Sequence, residues 1–581
     1  MRMPTIPTQS VTRDMIDTFR GYNHNPRIGA NEFYNMDNMT SDAYPVLMPR
    51  EMRGLFDKDQ RIRGMIAKDA VCTVRGGAFY IGDTAYEMGL SDEEKTLISM
   101  GAYVIIMPDR KYINTAIPDD RGDIENQVVT QGDVQFQLST IEGEVYEGAT
   151  VSDTAPGSPK NGALWIDTSS SPHGLKKYSE ATAAWVSIAS TYVRISCAGI
   201  GAGFEKFDGV QISGIVSEKL KDLNGTLTIW DKGDDYLVLM GIIDEAVTQK
   251  AAEGSITIQR RMPEMDFICE SENRLWGCRY GLNRHGETVN EIYACKLGDF
   301  KNWECYMGLS TDSYMASCGT TGPFTGAVAH MGYPLFYKED CFHKVFGSIP
   351  ANFQIQTTAC RGVQKGSHKS MAVVNEVLYY KSGAAVCAYD GSLPAEISYC
   401  LGNERYSNAV GGGFGSKYYI SMADLDGKQH LFVYDAAKKL WHREDDLKVS
   451  GFAAWQGKLL AWEKETGRVL QMTGGDGSGE TDYHWSVETG EIGIEQPDMK
   501  YISRLLIRTR LEVGTEMRIF ARYDFSEEWE PLFALRSTNL RSYDIPLRPK
   551  RCDYMKLRIE GDGPGMVYSI TKSLLKGSGR S

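Results

Sequence analysis

The 581-residue sequence predicts an all-β chain: a β-propeller of about six blades, interrupted by an inserted β domain and followed by an antiparallel β-sandwich. Three observations predict this. Sixty glycines stand beside few helix-periodic stretches, the mark of a turn-rich β chain. Short apolar–polar alternations bounded by Gly, Asn and Asp recur along most of the length, which is the period-2 signature of half-buried strands. One strand–turn–strand unit also repeats about every 40 residues, a propeller-blade spacing.

The repeat is organised around 273–303, NRLWGCRYGLNRHGETVNEIYACKLGDFKNW, where strands are predicted at Arg274–Trp276 and Ile292–Cys295. Later copies read AVAHMGYPLFY, AVVNEVLYY, GGGFGSKYYIS and FAAWQGKLLAW. Their second strands align on Leu335, Leu378, Tyr418 and Leu459, spaced 43, 40 and 41 residues apart, and Leu275 lies 60 before Leu335. An earlier copy, AVCTVRGGAFYIG, starts at Ala70. A single blade cannot bury both of its faces, so neighbours must stack.

Taken in order, the chain divides into an extended arm (1–54), a first blade (55–122), an inserted β domain (123–260), the remaining blades (261–473), a GGDGSGE-bearing linker (474–484) and a sandwich (485–581). The arm is rich in Asn and carries Pro26, Pro45 and Pro49, which favours turns and extended backbone over helix. Such a segment must satisfy its backbone through side chains or by wrapping on the body. Its start, MRMPTIPTQS, has no apolar core, and no apolar run is long enough to span a bilayer. Assembly in a cytoplasm without membrane insertion is therefore expected.

Within the insert, Pro156, Pro159 and Gly162 set turns around Trp165, Tyr178 and Trp185. These three rings are expected to form a small core; the alternative is a platform for stacking a sugar. AGIGAGF at 198–204 lacks the spacing of a phosphate loop. In the sandwich, Leu505, Ile507, Thr509, Leu511 and Val513 alternate with Arg504, Arg508 and Arg510. That is a strand with one wet, basic face.

Charge is segregated. The chain carries −13, but 500–581 holds sixteen Lys and Arg against ten Asp and Glu, leaving −19 on the rest. This favours copies docking basic face to acidic face, with Arg504, Arg508 and Arg510 as candidate interface residues. Twelve cysteines without a C-x-x-C spacing are expected to be buried thiols, and no metal or cofactor is expected. Asp424-Leu-Asp426-Gly427 is read as a hairpin turn. There is no G-x-S-x-G, H-E-x-x-H or Walker sequence, so the chain is expected not to be an enzyme. Paired carboxylates near a propeller channel keep a glycoside-hydrolase reading open.

The pieces Gly21–Asn23, Glu32–Asn38 and Tyr44–Gly54, the last reading YPVLMPREMRG, resemble the start of bacteriophage tail nozzle proteins, also called tail tubular protein B. The text NRLWG…IYACKLGDFKNW resembles that family too, with Cys295 standing where the family has Ser. Segment 153–188 is similar to a small Trp/Tyr module of phage tail proteins. The resemblance implies a virion tail subunit that forms a homo-oligomeric ring, a hexamer by family pattern, in contact with other tail or head–tail connector proteins. Genomic DNA would pass through its lumen unbound. A host-receptor or glycan-binding tail protein, using Trp165, Tyr178 and Trp185, is the alternative.

Overall fold

The computed structural model describes residues 11–58, 62–283, 286–481, 483–495, 499–548 and 550–576; residues 1–10 of the expected arm lie outside them. Strand is the dominant regular element, beside five short 3-10 turns among the described residues. No helix in them is long and apolar enough to cross a membrane.

Outside the insert, six sheets have four strands in sequential order, the pattern of propeller blades: I (62–87), II (96–123), III (267–317), IV (326–359), V (372–396) and VI (407–443). Blade VII (449–471) has three strands of its own and takes its fourth, Gly54–Asp57, from the end of the N-terminal arm, which pairs with Val469–Gln471. The expected count of about six is thus corrected to seven among the described residues. The segment expected as the first blade holds two, because Thr96–Met100 opens a second sheet before the insert begins.

The chain forms two compact units. The second, 95–336 with 343–357, contains blades II and III, most of IV, and the insert. The insert leaves and returns at one place: Asn126–Val129 pairs antiparallel with Thr257–Arg260. Blades II and III can therefore pack directly, with Ile98, Ile105 and Tyr112 against Leu275, Tyr293 and Trp303 in one core. Blade III is stapled from inside. The buried Arg274 guanidinium donates to the carbonyls of Cys295 (2.7 Å), Ser310 (3.0 Å) and Asp312 (2.6 Å). Cys295 Sγ accepts the Leu275 N–H at 3.1 Å, and Trp303 Nε1 donates to Phe300 O at 2.8 Å. All twelve cysteines are free, nine of them buried.

The first unit holds blades V, VI, VII and I, packed in that order, and the C-terminal sandwich. One sandwich sheet is built on Lys500–Leu511 and Gly565–Lys576, the other on His484–Thr489, Met555–Asp562 and Glu516–Tyr523. Leu505, Ile507 and Ile570 face Ile519, Leu557 and Val487 across a common core. The sandwich reaches further back in sequence than 485–581. Val11–Ile16 pairs with Gly565–Lys576, and Phe33–Asp37 pairs with His484–Thr489. The arm is thus two edge strands, one for each sheet, and covered edges do not recruit foreign strands.

Between those strands the arm lies on blade VI. Tyr22 N donates to Trp441 O at 2.7 Å and His24 N to Cys400 O at 2.8 Å. Gly21 has φ +81, and a Cβ there would sit 2.2 Å from Trp441 O, so only glycine allows this approach. Asn38 accepts from Arg50 Nε (2.8 Å) and donates to His484 O (2.7 Å). At the end of the arm, Arg53, 2 % exposed, meets Asp445 at 2.5 Å and Glu444 at 2.7 Å. Arg50 binds both oxygens of Glu480, at 2.7 and 2.9 Å. Burial works against the charged forms, but the guanidiniums of Arg53 and Arg50 prevail and hold Asp445 below the usual carboxylate range. Arg53→Met would leave Glu444 and Asp445 buried without their partner. The expected cost is about 3–5 kcal/mol, read as a shift in the urea midpoint; a loss under about 1 kcal/mol would show that the arm is held by its strands alone.

Arm residues Ser41 and Asp42 also close over a second charged group on blade VI. Ser41 Oγ donates to Asp435 at 2.7 Å, and Lys417 Nζ reaches Asp42 at 2.7 Å and Thr40 Oγ1 at 3.0 Å. His442 lies beneath, 1 % exposed, with neither ring nitrogen hydrogen-bonded. Burial, with Lys417 adding to it and Asp42 and Asp435 opposing, pushes its imidazole down to about 3. A depressed folded pKa means the stabilisation is complete above the unfolded value near 6.5 and is lost as pH falls below it. Between pH 7 and pH 5 this histidine alone should remove about 2 kcal/mol of stability. Denaturant midpoints of wild type and His442→Leu at the two pH values check this: equal slopes in both proteins would refute it.

Candidate functional site

A cleft of about 720 Å³ in the first unit opens where the arm, blade VI and one sandwich sheet meet. Sequence-distant segments supply its walls. The arm contributes Tyr22, His24, Tyr34 and Asp37; blade VI and its flanks contribute Glu404, Tyr406, Asp424, Asp426, His430 and Arg443; the sandwich contributes His484 and Glu488. Its volume is that of a site for a small ligand or a few side chains.

Two aromatic groups line it. The His24 ring stacks on Tyr34 at 4.2 Å and lies parallel to Tyr22 at 5.8 Å. Tyr406 meets His430 edge-on at 5.7 Å. Burial raises the Tyr22 and Tyr406 hydroxyls, so both stay neutral hydrogen-bonding groups. His430 Nε2 lies 2.9 Å from Asp424 Oδ2, and this bond holds the Asp424 carboxyl below its usual range. The other Asp424 oxygen accepts the N–H groups of Asp426 and Lys428, at 3.0 and 2.9 Å. DLDG is a hairpin turn between Lys417–Ala423 and Gln429–Asp435. Arg443 is tied to Asp37.

Carboxylates predominate. Asp37, Glu404, Asp424, Asp426, Asp445, Asp446 and Glu488 stand against Lys428 and Arg443. With Asp424 and Asp445 held ionised, the cleft presents a negative field with aromatic faces, which suits a cationic group. Among the described residues no group of three or more His, Cys, Asp or Glu could hold a metal ion. A smaller cavity of about 220 Å³ in the second unit gathers Glu264, Glu291 and Glu304 beside Tyr293, Trp303 and Tyr306. There Glu291 accepts the Tyr293 hydroxyl at 2.5 Å.

The residues named from sequence as candidate interface or glycan contacts lie away from both cavities, whereas Asp424 and Asp426 of the expected hairpin turn line the larger one. Arg504, Arg508 and Arg510 are exposed on the outer side of Lys500–Leu511, while Leu505, Ile507, Thr509 and Leu511 point inward. Arg504 pairs with Asp544 at 2.9 Å. Trp165, Tyr178 and Trp185 do gather, with Trp185 edge-on to each of the others at 5.4 Å. Register sets them on one face of the module with Lys176, whereas Ile166 and Leu175 on the opposite face enter the core of the insert. Trp165 is buried and donates to Ser152 O at 3.0 Å; Tyr178 and Trp185 are half-exposed. Sequence reasoning missed the 720 Å³ cleft. Its only sequence signal was the crowding of Asn, aromatic and acidic residues in NHNPRIGANEFYNMDN, without a partner segment to pair it with.

No family model and no curated protein matches the chain. Among solved structures it is similar to an exo-β-1,3-galactanase from Phanerochaete chrysosporium, at 7 % identity and a TM-score of 0.22, over 52 % of this chain and 94 % of that one. It is also similar to a Trypanosoma rangeli sialidase, at 9 % identity and a TM-score of 0.19, over 96 % and 95 % of the two chains. With such proteins among the matches, the expectation that the chain is not an enzyme is corrected and withdrawn. Likeness at these scores carries no argument for an activity, and the fold stands on the sheets themselves.

Proposed function

We propose that this chain is a structural subunit of a bacteriophage tail, a nozzle or tail-ring protein, whose copies close into a ring around the path of the genome. One observation carries the reading. The N-terminal sequence pieces that resemble the nozzle family build the arm into the fold: Gly21 at its closest approach to blade VI, Asn38 between Arg50 and His484, and Arg50 with Arg53 in the buried ion network. The resemblance therefore falls on residues that fix architecture. Blades locked in this way make stiff walls, and an acidic body repels passing DNA. Other tail or head–tail connector proteins would be the further partners. Electron microscopy of the purified chain tests the proposal: closed rings with a central opening are expected, and a chain that stays monomeric at tens of micromolar would overturn it.

A second reading, glycan binding by the inserted module, is favoured by one feature. Tyr178 and Trp185 remain half-exposed on the face turned away from the core of the insert, beside Lys176. Exposed aromatic faces of this kind suit sugar rings. Under this reading Trp185→Ala should abolish retention of the chain on bacterial cell-wall polysaccharide and leave its melting temperature within a degree or two. Retention equal to wild type would exclude the module as the contact.

A further inference from the structure

We infer that the arginine-bearing outer face of the C-terminal sheet docks into the acid-lined cleft of a second copy of this chain, an inference that rests on the ring reading above and names its contact. The face has the composition of a protein interface. Val11 and Met15, on the edge strand, are each 58 % exposed. Arg13 lies opposite Ser573, which in turn lies opposite Arg504, so the guanidiniums of neighbouring strands share one side. Arg508 and Arg510 follow along the same strand, exposed and without an ion pair among the described residues. Apolar side chains mixed with arginine are enriched at interface centres, and a fully solvated face has little use for either.

The cleft offers what those arginines lack. A guanidinium is planar, binds carboxylates in pairs and stacks on aromatic rings. Exposed Glu404 and Asp426 stand at the cleft beside the stacked His24 and Tyr34.

Geometry decides that the contact runs between copies. Arg508 and Arg510 project from the outer side of one sandwich sheet, because Ile507, Thr509 and Leu511 fill its inner side. His484 and Glu488 of the cleft project from the outer side of the other sheet, whose Trp485 and Val487 point inward. The two surfaces thus lie on opposite sides of one sandwich, and a single chain cannot join them. A contact between different surfaces of identical copies is head-to-tail, and it yields a ring when the rotation closes.

Complementation between two variants tests this. Arg508→Glu with Arg510→Glu spoils the face; Glu404→Gln with Asp426→Asn spoils the cleft without making it complementary to the reversed face; all four positions are exposed, and unchanged melting confirms folding. By sedimentation, wild type should assemble, and more weakly in high salt. Each variant alone should remain monomeric at a tenfold higher concentration. An equal mixture should form a one-to-one pair and stop there, since each pair holds one intact face on one intact cleft. If wild type assembles and the face variant assembles equally well, the docking is wrong and the ring reading stands. If wild type itself never assembles, the ring reading falls and the docking with it.

Discussion

The buried ion network of Arg50 and Arg53 with Glu444, Asp445 and Glu480 is the constraint on which the rest of the first unit depends. Its members come from the arm, from the exit of blade VI and from the segment leading into the sandwich. Burying charges costs desolvation that pairing only partly returns, so the network adds little net stability. What it contributes is register. Arg53 immediately precedes Gly54–Asp57, the strand that completes blade VII. A slip of that strand by one residue would turn its side chains to the wrong face and also strand buried charges. The penalty for misalignment is therefore far larger than the gain from alignment.

Everything the arm does follows from that fixed end. Held at Arg53, it runs back across blade VI and gives one edge strand to each sandwich sheet. Residues 11–57 thereby tie these parts together: blade VII and both sandwich sheets each take a strand from the arm, and blade VI holds it by hydrogen bonds. The acid-lined cleft is a by-product of this route. It exists because the arm passes over blade VI between Tyr22 and Asn38, and its walls are the surfaces the arm bridges.

How much of this was legible in the sequence depended on how local each signal was. Blades IV to VII repeat with aromatic-rich second strands at near-constant spacing, and blade III carries the same unit after a longer connection, so they could be read. Blade II could not be separated from blade I, because Tyr103–Met107 is a continuous apolar run without the alternation of its neighbours. That accounts for a count of about six blades where seven blade sheets stand among the described residues. Val11–Ile16 escaped notice for the opposite reason: five of its six residues are exposed, and an edge strand with little burial carries no periodic signal. The alternation that set Arg504, Arg508 and Arg510 on one face was readable within a single strand. The cleft was not, since Tyr22, Glu404, His430 and Glu488 are joined only by the folded chain.

Arginine serves this chain in two ways. Arg274 donates to three carbonyls within its own blade, a local staple that a strand–turn–strand unit can carry by itself. Arg53 needs two carboxylates almost four hundred residues away, so its partners must be kept together across the whole sequence. A staple of the first kind fixes the shape of one blade. A clamp of the second kind fixes how blades, arm and sandwich are joined, and it fails if any one of the three changes alone. Residues under that joint constraint have the least freedom to vary independently.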